Sequence, residues 1–204
     1  MKSVNTLSVC LCVAGLAAAA SGNIVSTFGA VTQIPAPGNA FPGSLTAFNA
    51  WAWNEQSQVP LAAMPVDMIT NPSNTSAPVA GNLTALVDSH FIHFDGIPGT
   101  TISGSVTFAT PIIGVQYRDL WLDFSDPLVT PGTVYPTGFV MRGWSNTTGA
   151  DFLDVNGNVL QFNMSATGQP DFEQVRVFTV ATPAPGSLAL LGLGGVTALR
   201  RRKR

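Results

Sequence analysis

The chain is poor in cysteine, in lysine and in charge of either sign. Its two cysteines, Cys10 and Cys12, fall within the first twenty residues, and its two lysines, Lys2 and Lys203, sit at the extreme ends. A chain that loses its first twenty residues has no thiol. That excludes a disulfide framework, a cysteine nucleophile and a thiolate metal site together. Between residues 21 and 181 the only cations are Arg118, Arg142 and Arg176, set against all eleven acids (Glu55, Asp67, Asp88, Asp95, Asp119, Asp123, Asp126, Asp151, Asp154, Asp171, Glu173). Three guanidiniums against eleven carboxylates give this body a formal charge of −8, which the whole-chain value of −2 conceals. A field of that sign repels phosphate backbones and excludes nucleic acid as a partner.

A long apolar run is also missing. The start, MKSVNTLSVCLCVAGLAAAASG, has one cation, an apolar stretch from about Leu7, and the small pair Ala18 and Ala20. This pattern predicts a secretory signal peptide over residues 1–20, cut by signal peptidase between Ala20 and Ser21. Neither cysteine is placed for lipid attachment. The remaining body is long enough for one ordinary domain with its own core.

Helical periodicity is absent from the body, where short alternating runs prevail. In TISGSVTF, Ile102, Gly104, Val106 and Phe108 point one way and Thr101, Ser103, Ser105 and Thr107 the other, which predicts a half-buried strand with a hydroxyl-lined outer face. In FLDVNGNVLQF, Asn156-Gly157 between two apolar runs predicts a tight hairpin. LTAFNAWAW, LTALV, SHFIHF, PIIGVQY, GFVM and EQVRVFTV read as weaker strands. They are separated by Pro, Gly, Asn, Ser and Thr clusters, so the expected fold is all-β, a β-sandwich or jelly roll over residues 21–181.

Catalytic signatures are lacking as well: there is no G-x-S-x-G, no P-loop and no dinucleotide fingerprint. The carboxylates are numerous enough for a glycosidase pair, but no spacing sets two of them at working distance. The body therefore reads as non-enzymatic, with no catalytic residue and no required cofactor or metal. His90 and His93 form H-x-x-H, but residues three apart on a strand face opposite sides and cannot share one ion. DFLDVNGN offers oxygen ligands for a weak calcium site, yet lacks the spacing of a calcium loop, and the hairpin turn already accounts for it.

YRDLWLDF is the most suggestive surface. If extended, it turns Leu120, Leu122 and Phe124 to the core and Tyr117, Asp119, Trp121 and Asp123 outward, an alternation of aromatics and carboxylates that could stack on and hydrogen-bond a sugar ring. The competing reading covers Trp121 with a loop or second sheet. Trp51, Trp53 and Trp144 read as core or rim. The three arginines are each expected to neutralise a carboxylate. Asn74, Asn82, Asn146 and Asn163 begin N-x-[ST] triplets, of which a body so rich in Ser, Thr and Asn yields several by chance.

The tail, TPAPGSLALLGLGGVTALRRRKR, joins Pro183-Ala184-Pro185 to an uncharged apolar stretch and five terminal cations, Arg200, Arg201, Arg202, Lys203 and Arg204. It resembles the PEP-CTERM sorting signal of exported bacterial proteins, with Ala184 where that family usually has Glu. FNAWAWNEQSQVPL, VDSHFIHFDG, TFATPIIGV, PGTVYPTGFVMRG and FEQVRVFT look like a recurring β-rich body found before such tails. The resemblance implies export, transient retention in the inner membrane through Leu188, Leu190, Leu191 and Leu193, and cleavage at Pro183-Ala184-Pro185 by an exosortase-type transpeptidase. Delivery to the cell surface or extracellular matrix would follow, with exopolysaccharide as an alternative binding partner. Gly186 to Leu199 is fourteen residues, roughly 21 Å as a helix against about 30 Å of hydrocarbon, so residues 182–204 make a poor permanent anchor. The five cations are expected to stay on the cytoplasmic side.

Overall fold

Alternating side chains govern most of the chain, and they do so as strands. The structure, a computed structural model, describes residues 23–129, 132–144, 151–166 and 172–182. In chain order the elements are β1 (Ile24–Gly29), β2 (Val31–Gln33), β3 (Ala50–Pro60), β4 (Met64–Val66), β5 (Ser73–Asn74), β6 (Gly81–Leu83), β7 (Leu86–Phe94), β8 (Thr100–Phe108), β9 (Ile112–Gln116), α1 (Asp119–Val129), β10 (Phe152–Asn156), β11 (Val159–Ala166) and β12 (Glu173–Val180). One sheet runs β1-β8-β11-β10-β5, the second β2-β3-β7-β12-β9, and β4 and β6 pair as a ribbon. Only β2 and β3 pair in parallel among these neighbours. The architecture is all-β and sandwich-like.

The two sheets share one apolar core. Ile102, Val106, Phe108, Leu160 and Phe162 of the first sheet meet Ala52, Ile92, Phe94, Val175 and Val177 of the second in a single cluster. Each such side chain contributes about 1.5–3 kcal/mol on full burial, and this core does the work that disulfides do in many exported domains. In β8 the predicted alternation holds: Ile102, Val106 and Phe108 are buried, while Thr101 and Ser103 are exposed.

The predicted hairpin forms, with its turn one residue later than expected. Asn156 pairs with Val159, so the two loop residues are Gly157 and Asn158. Gly157 has φ +63° and Asn158 does not enter that region, which fits a type II′ turn with glycine first. Asn71 grips this turn, accepting from the Gly157 N–H (2.7 Å) and donating to the Gly157 carbonyl (2.6 Å).

Four expectations need correction, the first being LTALV, which breaks at Thr84-Ala85 between the end of β6 and the start of β7. Residues 138–141 form a turn rather than a strand, residues 45–49 precede β3 without joining it, and YRDLWLDF is helical from Asp119. The helix starts where it does because Asp67 sits beneath it. One carboxylate oxygen of Asp67 accepts the N–H groups of Tyr117 (2.7 Å) and Arg118 (3.0 Å), leaving the Arg118 carbonyl to accept from Trp121 and Leu122 (both 3.1 Å).

Candidate functional site

The second sheet buries both faces, and its back face is polar. β12 contributes Val175 and Val177 to the shared core and therefore, by strand alternation, Gln174 and Arg176 to the other side. The register completes two rows on that back face: Trp53, Phe91, Arg176 and Gln116 across one line, and Trp51, His93 and Gln174 across the next. Glu55 joins them at a bulge in β3, where the pairing with β7 slips between Asn54 and Gln56. Helix α1 and the segment 132–144 cover these rows, packing Leu122 and Tyr135 against Trp53 and Phe91.

Arg176 is the centre of the layer, and its side chain is fully buried. Its Nε and Nη2 each donate to a Glu55 carboxylate oxygen at 2.9 Å, a fork-on-fork pair. Nη2 also reaches Asp126 Oδ1 (3.1 Å), and Nη1 donates to the Leu122 carbonyl (3.2 Å) and to Ser125 Oγ. Tyr135 donates to Glu55 Oε1 (2.6 Å) and accepts from the Trp53 indole (3.2 Å). The guanidinium lies 4.9 Å from the Phe91 ring centre and 5.1 Å from that of Tyr135.

Asp126 links this cluster to a second buried guanidinium. Arg142 Nη1 donates to Asp126 Oδ2 (2.6 Å) and to Asp123 Oδ1 (2.7 Å), while its Nε donates to Gln174 Oε1 (2.9 Å). With its oxygen so occupied, the Gln174 amide nitrogen donates to the Ala40 carbonyl (3.0 Å) and to His93 Nδ1 (2.9 Å). That fixes His93 as the Nε2–H tautomer, and His93 Nε2 has no hydrogen-bond partner.

The electrostatics follow from burial and pairing. Burial pushes the Asp126 carboxyl up, but the Arg142 hydrogen bonds and the charges of Arg176 and Arg142 overcome it and hold the group below the ordinary aspartate value. Burial, and then the Glu55 charge beside it, push the Tyr135 hydroxyl well above the usual tyrosine range. The carboxylates around Arg176, Glu55 foremost, outweigh burial and keep it firmly protonated. Burial, assisted by the Arg142 charge, lowers His93 to about 3. The carboxylates of this layer are bound to guanidiniums and the histidine is neutral. The arrangement fastens α1 and residues 132–144 to the sheet.

The residues singled out by sequence are distributed differently from the extended-strand reading. Tyr117 is buried just before α1, within the shared core, and Trp121 is half-buried on the helix. Asp119 and Asp123 do not present free carboxylates outward. Asp119 accepts from the N–H groups of Met141 (2.9 Å) and Gly143 (2.6 Å), and Asp123 from Gly138 N–H (2.9 Å) and Arg142. Of the three apolar side chains expected in the core, Leu122 is buried as expected, while Leu120 and Phe124 are exposed. A four-residue sugar-binding row of Tyr117, Asp119, Trp121 and Asp123 is therefore not formed.

His90 and His93 do face opposite sides of β7: His90 packs against Phe108 of the shared core at 4.7 Å between ring centres, His93 in the polar layer. Each described arginine pairs with a carboxylate, Arg118 with Asp67, Arg142 with Asp123 and Asp126, and Arg176 with Glu55 and Asp126. Among the described residues no three of His, Cys, Asp and Glu are gathered as a metal site. Ala18, Ala20, Ser21, Pro183, Ala184, Pro185, Leu188, Leu190, Leu191, Leu193 and the terminal cations Arg200 to Arg204 lie outside the described residues.

Glu55, Ser125, Asp126, Tyr135 and Gln174 were not anticipated in these roles. The one legible signal was in EQVRVFTV, where glutamine and arginine alternate with valines. A strand apolar enough to be central, carrying a guanidinium on its other face, requires buried carboxylates opposite it. No family model matches this chain, and neither a curated protein nor a solved structure does.

Proposed function

We propose that this chain is an exported, non-enzymatic protein of the cell surface or extracellular matrix, sorted by its C-terminal segment. Signal peptidase removes residues 1–20. Residues 182–204 tether the chain transiently to the inner membrane, and an exosortase-type transpeptidase cuts at Pro183-Ala184-Pro185. The body is a jelly-roll-like sandwich with a structural or interaction role, a reading supported by the repeated crossing of the chain between sheets from β7 to β12.

The observation that carries the proposal is how Thr182, next to Pro183, is held to the body. Thr182 N–H donates to Asp88 (3.1 Å) and the Thr182 carbonyl accepts from Gln58 (3.0 Å). These bonds lie before Pro183, at the last of the described residues, so a cut in the Pro-Ala-Pro element leaves them intact. The closed, internally neutralised polar layer supports the non-enzymatic part. Mass spectrometry of the protein recovered from its host surface is expected to show a new C-terminus near Pro183. Arg204 intact on surface-located chains would sink the sorting proposal, as would unchanged localisation on replacing Pro183 and Pro185 with Ala.

A further inference from the structure

The outer face of the first sheet differs from the back of the second in that no described segment covers it. The register sets Phe28, Ser105, Gln161 and Asp154 in one row across β1, β8, β11 and β10, with Ser103, Asn163 and Phe152 in the next. All of these except Asp154 line, with Gly29, Gly104 and Phe162, a shallow groove of about 430 Å³. Its floor is hydroxyl and amide, and a phenyl ring stands near each end. Phe28 is 81% exposed, although it lies on a strand whose Ile24 is buried in the core. The two phenyl-bearing strands are three strand spacings apart, about 14 Å, so the groove is oligomer-sized.

The floor groups are uncommitted. Farther along the same face Thr101 and Ser165 hydrogen-bond each other at 3.0 Å, but among the described residues the side chains of Ser103, Ser105, Gln161 and Asn163 have no hydrogen-bond partner. Two glycines, Gly29 and Gly104, lie side by side beneath the groove. A Cβ on Gly29 would stand 2.6 Å from the Ser103 carbonyl oxygen, so the close approach of β1 to β8 depends on that glycine.

We propose that this groove binds a neutral oligosaccharide chain laid across the strands, its sugar faces stacked on Phe28 and Phe152 and its hydroxyls bonded to Ser103, Ser105, Gln161 and Asn163. Charge complementarity selects this occupant. A polyanion, whether nucleic acid, uronate or phosphopolymer, needs cations, and the body's three arginines are paired elsewhere, two of them fully buried. An acyl chain or apolar peptide would strand the amide and hydroxyl floor without partners. A sugar offers what the groove lacks: C–H faces for the quadrupole of a phenyl ring and hydroxyls that both donate and accept. The inference deepens the surface-protein reading, since it rests on export to a compartment where such polymers lie.

The test is calorimetric titration of the full chain, as the cell exports it, with cellohexaose, mannohexaose, xylohexaose and hexagalacturonate. Binding of at least one neutral hexasaccharide with a Kd below about 1 mM is expected, with the uronate weaker. Phe28→Ala, at an exposed position, should keep the melting temperature and weaken binding about three- to tenfold, and Gln161→Leu should weaken it without touching either ring. Loss of neither, preference for the uronate, or no response to any neutral sugar overturns the proposal. So does self-association that Phe28→Ala abolishes without any sugar binding, which would make the exposed edge strand β1 a contact between copies. A chain processed at Pro183 that binds no sugar fails this inference alone, and one that binds sugar but keeps Arg204 fails only the sorting proposal.

Discussion

Arg176 shows what a single residue carries in this protein. It has carboxylates on two sides, Glu55 and Asp126, and no contact with water. Removing a buried partner leaves the opposing charges desolvated and unpaired, which costs about 3–5 kcal/mol, whereas an exposed pair is worth up to about 1 kcal/mol. Arg176→Gln should accordingly lower the unfolding free energy by about 3–5 kcal/mol in urea titrations. Arg118→Gln, whose side chain is 59% exposed in its pair with Asp67, should cost about 1 kcal/mol. Equal losses in the two variants would refute the ranking. At this scale the sequence was informative about pairing but silent about partners. Eleven acids around three arginines predict that each arginine is neutralised, but the particular carboxylates come from positions 16 to 121 residues distant, which spacing alone does not encode.

Helix α1 was the element least legible from sequence, and for a physical reason. Leu120, Leu122 and Phe124 alternate with polar residues, so period two fits the segment, while Asp119, Asp123, Ser125, Asp126 and Pro127 are individually poor helix formers. The helix is held by what grips it. Asp119, Asp123 and Asp126 lie on one face at i, i+4 and i+7 and bind Met141, Gly143, Gly138, Thr137 and Arg142 of the covering segment. Tertiary hydrogen bonds decide the conformation where propensity does not. The strands with clear alternation, β8 and β11, and the weaker run of β12 needed no such help and were legible. Gly143 is the tightest point of the clamp, since a Cβ there would stand 2.4 Å from the Tyr117 carbonyl oxygen and 2.7 Å from Asp119 Oδ1. Gly143→Ala should loosen the clamp by about 1–3 kcal/mol. Hydrogen exchange is expected to quicken in residues 119–126 and to stay unchanged in β8 and β11. Unchanged exchange in the helix would show that the segment can shift without releasing it.

On the scale of the whole molecule, the acids of the body act largely as internal fasteners. Asp67, Asp88, Asp95, Asp126, Asp151 and Glu173 are buried. Asp95 accepts from Gly43 N–H and Thr46, Asp88 from Gln58 N–H and Thr182, and Asp151 from Ser165 N–H. Composition exposed the excess of acids, but whether they faced inward depended on long-range pairing. The same fold buries a histidine on each face of the central strand β7. Burial lowers His90 to about 4, against the pull of Asp88, and lowers His93 to about 3, both from an unfolded value near 6.5. Because the unfolded chain binds these protons first, stability is complete above about pH 6.5 and falls as pH drops towards the folded values. Each histidine contributes a slope of up to about 1.4 kcal/mol per pH unit in that window. Protonating His90 opposes the shared core and protonating His93 opposes the polar layer, so both charges weaken one cooperative unit. Urea midpoints measured from pH 7.5 to 4.5 should therefore fall steeply below pH 6.5, and His90→Gln should reduce that slope by about half. A flat profile between pH 7 and 5 would mean that neither ring is held neutral by burial in the folded protein, and would remove the account of β7 as its neutral, doubly buried spine.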